Sequence, residues 1–239
     1  MAGIALLSGG LDSTVALALY LEKDIVNLAL TFDYGQRASE KEVSAARKIA
    51  EYYNIPHHVI PLPFLQEQTH SALVNRSEDL PNMEFEELDL QEITLQSARQ
   101  VWVPNRNALF LNIAAVFAEN MGESTSLITG FNREEAATFP DNSLEFIEAI
   151  NRCFLYSTQE KVTVVSPTSI FAKMEIVREG LRMNIPFEHI WSCYESTERV
   201  CGQCESCQRL KRALISNNAQ GLVNQLFNVN EELCEKELE

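Results

Sequence analysis

The chain has 239 residues, 46% of them hydrophobic, which is enough to build a full α/β core. Its 19 Lys and Arg against 34 Asp and Glu give a net charge of −15, which opposes a broad nucleic-acid footprint, because gripping a phosphate backbone takes clustered cations. No apolar run reaches the roughly 18 residues of a membrane-spanning helix, the first residues read as a core strand and not as a signal peptide, and six cysteines in such a chain point to a reducing cytoplasm, where clustered thiols hold metal.

Apolar residues 4–7 predict a first strand and residues 13–21 a first helix, and between them runs Ser8-Gly9-Gly10-Leu11-Asp12-Ser13-Thr14. Adjacent glycines let the backbone turn tightly and approach a ligand. The free amides and dipole of the following helix favour an anion such as pyrophosphate. Ser8, Ser13 and Thr14 add hydroxyls, and Asp12 can cap the helix or face a phosphate-bound magnesium ion. Neither the Gly-Lys-Ser/Thr ending of a Walker A loop nor the dinucleotide G-x-G-x-x-G pattern is present.

A strand over 25–32 ends in Asp33-Tyr34-Gly35-Gln36-Arg37, a helix follows over 39–53, and proline-fenced residues 57–62 fit a third strand. Residues 63–100 read as irregular and acidic, the pattern of a lid or a poorly ordered stretch. The regular alternation resumes with an apolar helix over 108–120, a strand over 126–129, a helix over 142–156 and a strand over 162–165. This order predicts an α/β fold with a parallel sheet covered by helices on both faces. The amphipathic, acidic residues 218–239, with Leu222, Leu226, Val229 and Leu233, predict a C-terminal helix on the core or on a partner chain.

Cys193, Cys201, Cys204 and Cys207 form C-x7-C-x2-C-x2-C. Tetrahedral zinc takes four thiolates in a closed shell, so one structural ion per chain is the expectation, within a segment spanning 190–215. An iron–sulfur cluster and unmetallated thiols are the other readings. The ferredoxin run would add a fourth cysteine three residues on, followed by proline, where this chain has Gln208-Arg209-Leu210-Lys211. Cys153 and Cys234 stand apart and read as buried or incidental thiols.

The Ser8–Thr14 loop resembles the PP-loop of the ATP pyrophosphatases. Together with the four-cysteine segment, Asp33 to Arg37, Val103-Pro104-Asn105-Arg106-Asn107, Gly130-Phe131-Asn132, Phe139-Pro140-Asp141 and Trp191-Ser192-Cys193-Tyr194, it resembles the 7-cyano-7-deazaguanine (preQ0) synthases over almost the whole chain. One segment departs from the pattern. Many members carry Ser-Gly-Tyr-Pro-Asp-Cys-Arg where this chain has Ala137-Thr138-Phe139-Pro140-Asp141-Asn142-Ser143.

The resemblance implies a Rossmann-like PP-loop ATPase fold in a single domain over 1–239. It implies a cytoplasmic homodimeric ligase of queuosine biosynthesis that joins 7-carboxy-7-deazaguanine and ammonia through an amide to the nitrile. ATP with magnesium would be held by Leu7, Ser8, Gly9, Gly10, Leu11, Asp12, Ser13, Thr14, Val15, Ala16 and Leu17. Asp12, Ser13, Arg106 and Lys173 are the catalytic candidates: Arg106 as an oxyanion clamp or a surface arginine, Lys173 as a phosphate contact or a solvated helix start. Asn132 and Asp141 are candidates for the guanine-like edge, with capping and turn roles as the alternative. No glutaminase unit fits the length, so free ammonium is the expected nitrogen donor. The alternatives are another amide-forming or tRNA-modifying PP-loop enzyme, or a zinc-stabilised nucleotide-binding module acting on a protein partner. The acidic balance weighs against the tRNA enzymes and the cysteine segment against a relative of NAD synthetase. Steady ATP consumption dependent on the deazapurine acid would remove the binding module.

Overall fold

A computed structural model describes residues 2–227. Its five-stranded sheet is parallel throughout, in the order β3-β2-β1-β4-β5, built from β1 (Ala2–Leu6), β2 (Leu28–Asp33), β3 (His57–Pro61), β4 (Thr125–Ile128) and β5 (Val162–Val165). Side chains alternate across each strand, and both faces are apolar. Ile4, Leu28 and Leu30 point into one cluster with Leu111, Ile147 and Phe154. Ala5, Leu7 and Ala29 point into another with Val15, Ile49 and Ile176. Near-continuous apolar strands of this kind are what a doubly covered parallel sheet requires.

Parallel neighbours need crossovers, and these are right-handed almost without exception. From β1 the chain runs outward through α1 (Leu11–Leu21) and α2 (Ser39–Tyr52), which share one face. It then returns to the other side of β1, and α5 (Arg106–Glu119) and α7 (Leu144–Ser157) cover the opposite face. The reversal leaves a crevice at the carboxyl ends of β1 and β4, the usual ligand position in open α/β sheets. The loop after β1 opens there.

The second strand starts at Leu28 and not at residue 25, because Ile25 is 67% exposed and Asn27 spends its side chain on the Gly3 amide. The expected irregular stretch over 63–100 holds α3 (Pro63–Gln68) and α4 (Gln91–Gln100). The buried face of α4 is Thr94, Ser97 and Ala98, so it shows no apolar stripe in the sequence. This stretch is fastened to the cysteine segment: Asn82 bridges Cys204, the Met83 amide bonds the Gln203 carbonyl at 3.2 Å, and Asp89 pairs with Arg212 at 2.9 Å. Three further helices, α8 (Lys173–Arg182), α9 (Glu205–Ser216) and α10 (Gln220–Phe227), pack on the α1 side through Ile176, Leu214 and Val223. Of the helix expected over 218–239, only α10 falls within the described residues; Val229, Leu233 and Cys234 lie outside them. No helix among the described residues is long and apolar enough to cross a membrane.

Candidate functional site

The loop after β1 is held by its own hydroxyls. Ser13 Oγ accepts from the Ser8 amide at 3.2 Å and donates to the Gly10 carbonyl at 3.2 Å, while Thr14 Oγ1 donates to the same carbonyl at 2.7 Å. Gly9 sits at φ +81°, where a Cβ would lie 2.6 Å from the Glu42 carbonyl oxygen. The conformation and the close packing on α2 both require glycine. Gly130, just past β4, presses on the loop from the other side: a Cβ there would lie 2.5 Å from the Ser13 nitrogen. The first-turn amides of α1 have no intrahelical acceptor and face the crevice.

A cavity of about 310 Å³ opens over this loop. Leu7, Ser8, Gly10, Leu11, Asp12 and Ser13 line it, whereas Thr14, Val15, Ala16 and Leu17 are buried as the loop's support in the core. Arg106 and Lys173, 67 residues apart in sequence, both line it as well.

Lys173 is the first residue of α8 and is buried. Its Nζ reaches Asp12 Oδ2 at 2.5 Å and Glu135 Oε1 at 3.5 Å, so the solvated alternative does not hold. Burial pulls the ammonium pKa down, but the Asp12 and Glu135 carboxylates outweigh it and hold Lys173 above its usual range. Burial likewise pushes the Asp12 carboxyl from 3.8 up to about 6, against Lys173 and with Glu135 and Glu134. Asp12 Oδ1 is buried with no protein partner.

At the other end Arg106, the start of α5, donates to Tyr34 Oη at 3.0 Å and lies over the Tyr34 ring at 5.7 Å. It is therefore not a free surface arginine. The Asp33-to-Gln36 turn sets this geometry: Gln36 Oε1 accepts from the Tyr34 amide at 2.9 Å, and its Nε2 donates to Glu42 Oε2 at 2.8 Å. Phe32 and Phe110 stack at 4.1 Å beside them, giving this end a flat apolar wall suited to a heteroaromatic ring.

Asn132 and Asp141 do not line the cavity. Asn132 is fully buried and caps α6 (Arg133–Ala136) by accepting from the Glu135 amide at 2.9 Å. Asp141 lies in a short turn where Asn142 Nδ2 donates to it at 3.3 Å. Glu134, Glu135, Tyr194, Glu205 and Arg209 do line the cavity and escaped sequence reasoning. Their one sequence signal was a charged residue, Glu205, placed between two paired cysteines.

The four cysteine sulfurs lie within 4.8 Å of one another, with Cys201 and Cys207 at 3.9 Å. Four sulfurs at about 2.3 Å from a tetrahedral ion stand about 3.8 Å apart, so the donor set fits a metal. Backbone amides of Glu195 and Cys201 point at Cys193 Sγ, and those of Gln203 and Cys204 at Cys201 Sγ, as expected around thiolate acceptors. Gly202 turns the chain between the ligands at φ +71°. Cys153 is exposed on α7, hence incidental and not buried.

A family model described as "Queuosine biosynthesis protein QueC" matches residues 2–218. The chain belongs to the QueC family. It is 54% identical over 213 residues to the 7-cyano-7-deazaguanine synthase of Pelotomaculum thermopropionicum, covering 89% of this chain and 96% of that one. Against the protein of the same name from Methanosarcina barkeri it is 50% identical over 216 residues, covering 89% and 93%. The synthase of Methanococcus aeolicus is 39% identical over 221 residues, covering 89% and 94%.

Proposed function

We propose that this chain is an ATP-dependent 7-cyano-7-deazaguanine synthase, converting 7-carboxy-7-deazaguanine and ammonia to the nitrile through the amide. The observation that carries the reading is the Asp12–Lys173 pair at the mouth of the glycine-rich loop. A fixed cation and a partly free carboxylate beside the α1 amides support a triphosphate held there. Lys173 and the loop donors would neutralise charge as the nucleotide is transferred to the carboxylate oxygen, and again to the amide oxygen in the second half. The unpartnered Asp12 Oδ1 supports a magnesium ion travelling with ATP. Ammonia attacks the activated carbonyl, the nucleotide leaves and a proton is lost to give the amide; loss of the nucleotide and both N–H protons from the activated amide then gives the nitrile, and the cavity walls would limit hydrolysis of the acyl anhydride.

The Phe32–Phe110 wall with Tyr34 and Arg106 supports an aromatic-ring subsite, and the polar end between α6 and the cysteine segment supports the second substrate. Four cysteines with closed geometry support one structural zinc per chain, whose contribution when bound is to fix the loop that carries Trp191, Ser192 and Tyr194. Exposed Leu155 and Tyr156 at the end of α7 support a homodimer, to be checked by light scattering. The net charge of −15 supports small molecules and not nucleic acid as substrates. The test is mass spectrometry of products from 7-carboxy-7-deazaguanine, ammonium, ATP and magnesium. Amide followed by nitrile, both absent with Asp12→Ala, is the expected result. ATP binding without either product would overturn the reading.

A further inference from the structure

The cysteine segment does more than sit near the cavity; residues alternating with its ligands form the cavity wall. Ser192 and Tyr194 flank Cys193, and Glu205 and Ser206 lie between Cys204 and Cys207. One turn further along α9, Arg209 joins them. Its side chain is 15% exposed, and its guanidinium spans two carboxylates: Glu205 at 2.8 Å and Glu134 of α6 at 3.3 Å. Both are fixed from behind, Glu205 by Ser97 of α4 and Glu134 by the Lys173 backbone amide at 2.8 Å. A continuous path of charge-assisted bonds thus leads from the cysteine segment through Arg209 and Glu134 to Lys173 and Asp12.

This end of the cavity holds four carboxylates, Asp12, Glu134, Glu135 and Glu205, against two cations, Lys173 and Arg209. Both cations are paired, Lys173 with Asp12 and Glu135 and Arg209 with Glu205 and Glu134, so each acts on a substrate by making the wall less negative. An acidic wall repels an anion, yet the first reaction proposed above must bring a carboxylate to it. The second must bring a neutral amide to the same place. The two half-reactions therefore make different electrostatic demands on one wall.

We propose that Arg209 is a positioning and specificity-determining residue for the anionic substrate: it draws the cysteine segment onto α6 and supplies the positive charge that lets this wall accept a carboxylate. This rests on the function proposed above. The acid and the amide differ in charge and hardly in shape, so a packing defect affects both alike, whereas a lost charge separates them.

The experiment measures KM and kcat for the acid (with ammonium) and for the amide separately, in wild type, Arg209→Gln, Arg209→Lys and Glu135→Gln. Wild type is read first: if it converts neither compound, the proposed function fails, independently of Arg209. Given turnover, Arg209→Gln is expected to raise KM for the acid about tenfold more than for the amide, the scale of one unit charge acting over several ångströms at intermediate dielectric. Arg209→Lys is expected to recover most of that difference. Equal rises for both substrates, or no recovery with lysine, would overturn the assignment. If Arg209→Gln does not fold, Glu135→Gln decides, since it removes a negative charge from a side chain that is 36% exposed. It is expected to lower KM for the acid relative to the amide, and an unchanged ratio overturns the proposal.

Discussion

Substituting Gly130 by alanine tests whether the nucleotide loop is held by contact with β4 or by its own hydrogen bonds. A Cβ at this position would stand 2.5 Å from Ser13 N, 2.6 Å from Asp12 C and 2.7 Å from Ser13 Cα. All three atoms are backbone, so no side chain can swing aside, and the first turn of α1 must retreat from the sheet. Overpacking of this kind costs about 1–3 kcal/mol. The same retreat moves the Asp12 and Ser13 amides that would face the phosphates of the proposed ATP, so ATP affinity should fall at least about tenfold, for about 1.4 kcal/mol of lost binding. The control is Gly122→Ala: Gly122 has φ +67° and nothing within 4 Å of its built Cβ. It should cost about 1–2 kcal/mol through backbone strain alone and leave ATP binding intact. Urea unfolding gives the stabilities and calorimetric titration the affinities. A folded Gly130→Ala chain that binds ATP within twofold of wild type would refute the reasoning.

Cys201→Ser should lose the zinc proposed above, read by elemental analysis of both proteins. It should also lose the stability linked to the ion, about 4 kcal/mol at a thousandfold excess over Kd, or roughly 10 °C in Tm; an unchanged Tm would argue against a structural metal. Asp12 has its carboxyl pKa raised from 3.8 to about 6 by burial, so the folded chain keeps this proton after the unfolded chain has released it. Its contribution is full below pH 4 and declines as pH rises through 6, by up to about 3 kcal/mol. In Asp12→Asn that decline should vanish from urea-unfolding curves taken between pH 4 and 7, and a parallel decline in both proteins would contradict it. Arg37 donates to Glu195 at 3.0 Å, to the Asn75 carbonyl at 2.9 Å and to the Glu78 carbonyl, joining the stretch after α3 to the cysteine segment. Arg37→Met should speed limited proteolysis around residues 75–80 about tenfold or more, since hydrogen bonds to a charged group contribute about 1.5–3 kcal/mol; unchanged cleavage would sink this role.

The elements that announced themselves in the sequence are those whose chemistry is local. The strand, loop and helix around Ser8–Thr14 depend on glycines and hydroxyls within seven positions, and the cysteine cluster on ligands within fifteen. Helix α4 stayed hidden because it buries Thr94 and Ser97 and not a stripe of leucines. Arg209 stayed hidden because its partner Glu134 lies 75 positions away, and no periodicity carries that separation. Asn132 and Asp141 show the converse: polar residues in a turn advertise binding, yet here one caps a helix and the other shapes a turn. Local spacing thus marked the glycine-rich end of the cavity, while its charged wall exists only after four distant segments, at residues 12, 134–135, 173 and 205–209, meet.

The sheet order has a consequence for synthesis. Strand β1 leaves the ribosome before the other four strands and is also the innermost in the sheet, yet its second edge stays open until Thr125–Ile128 arrive to pair with Ala2–Ala5. For more than a hundred residues of translation the nascent chain carries an apolar strand with an unpaired edge, the feature that templates aggregation. Any fragment ending before β4 keeps that edge permanently. Soluble expression of such fragments should therefore fail, however intact their glycine-rich loop.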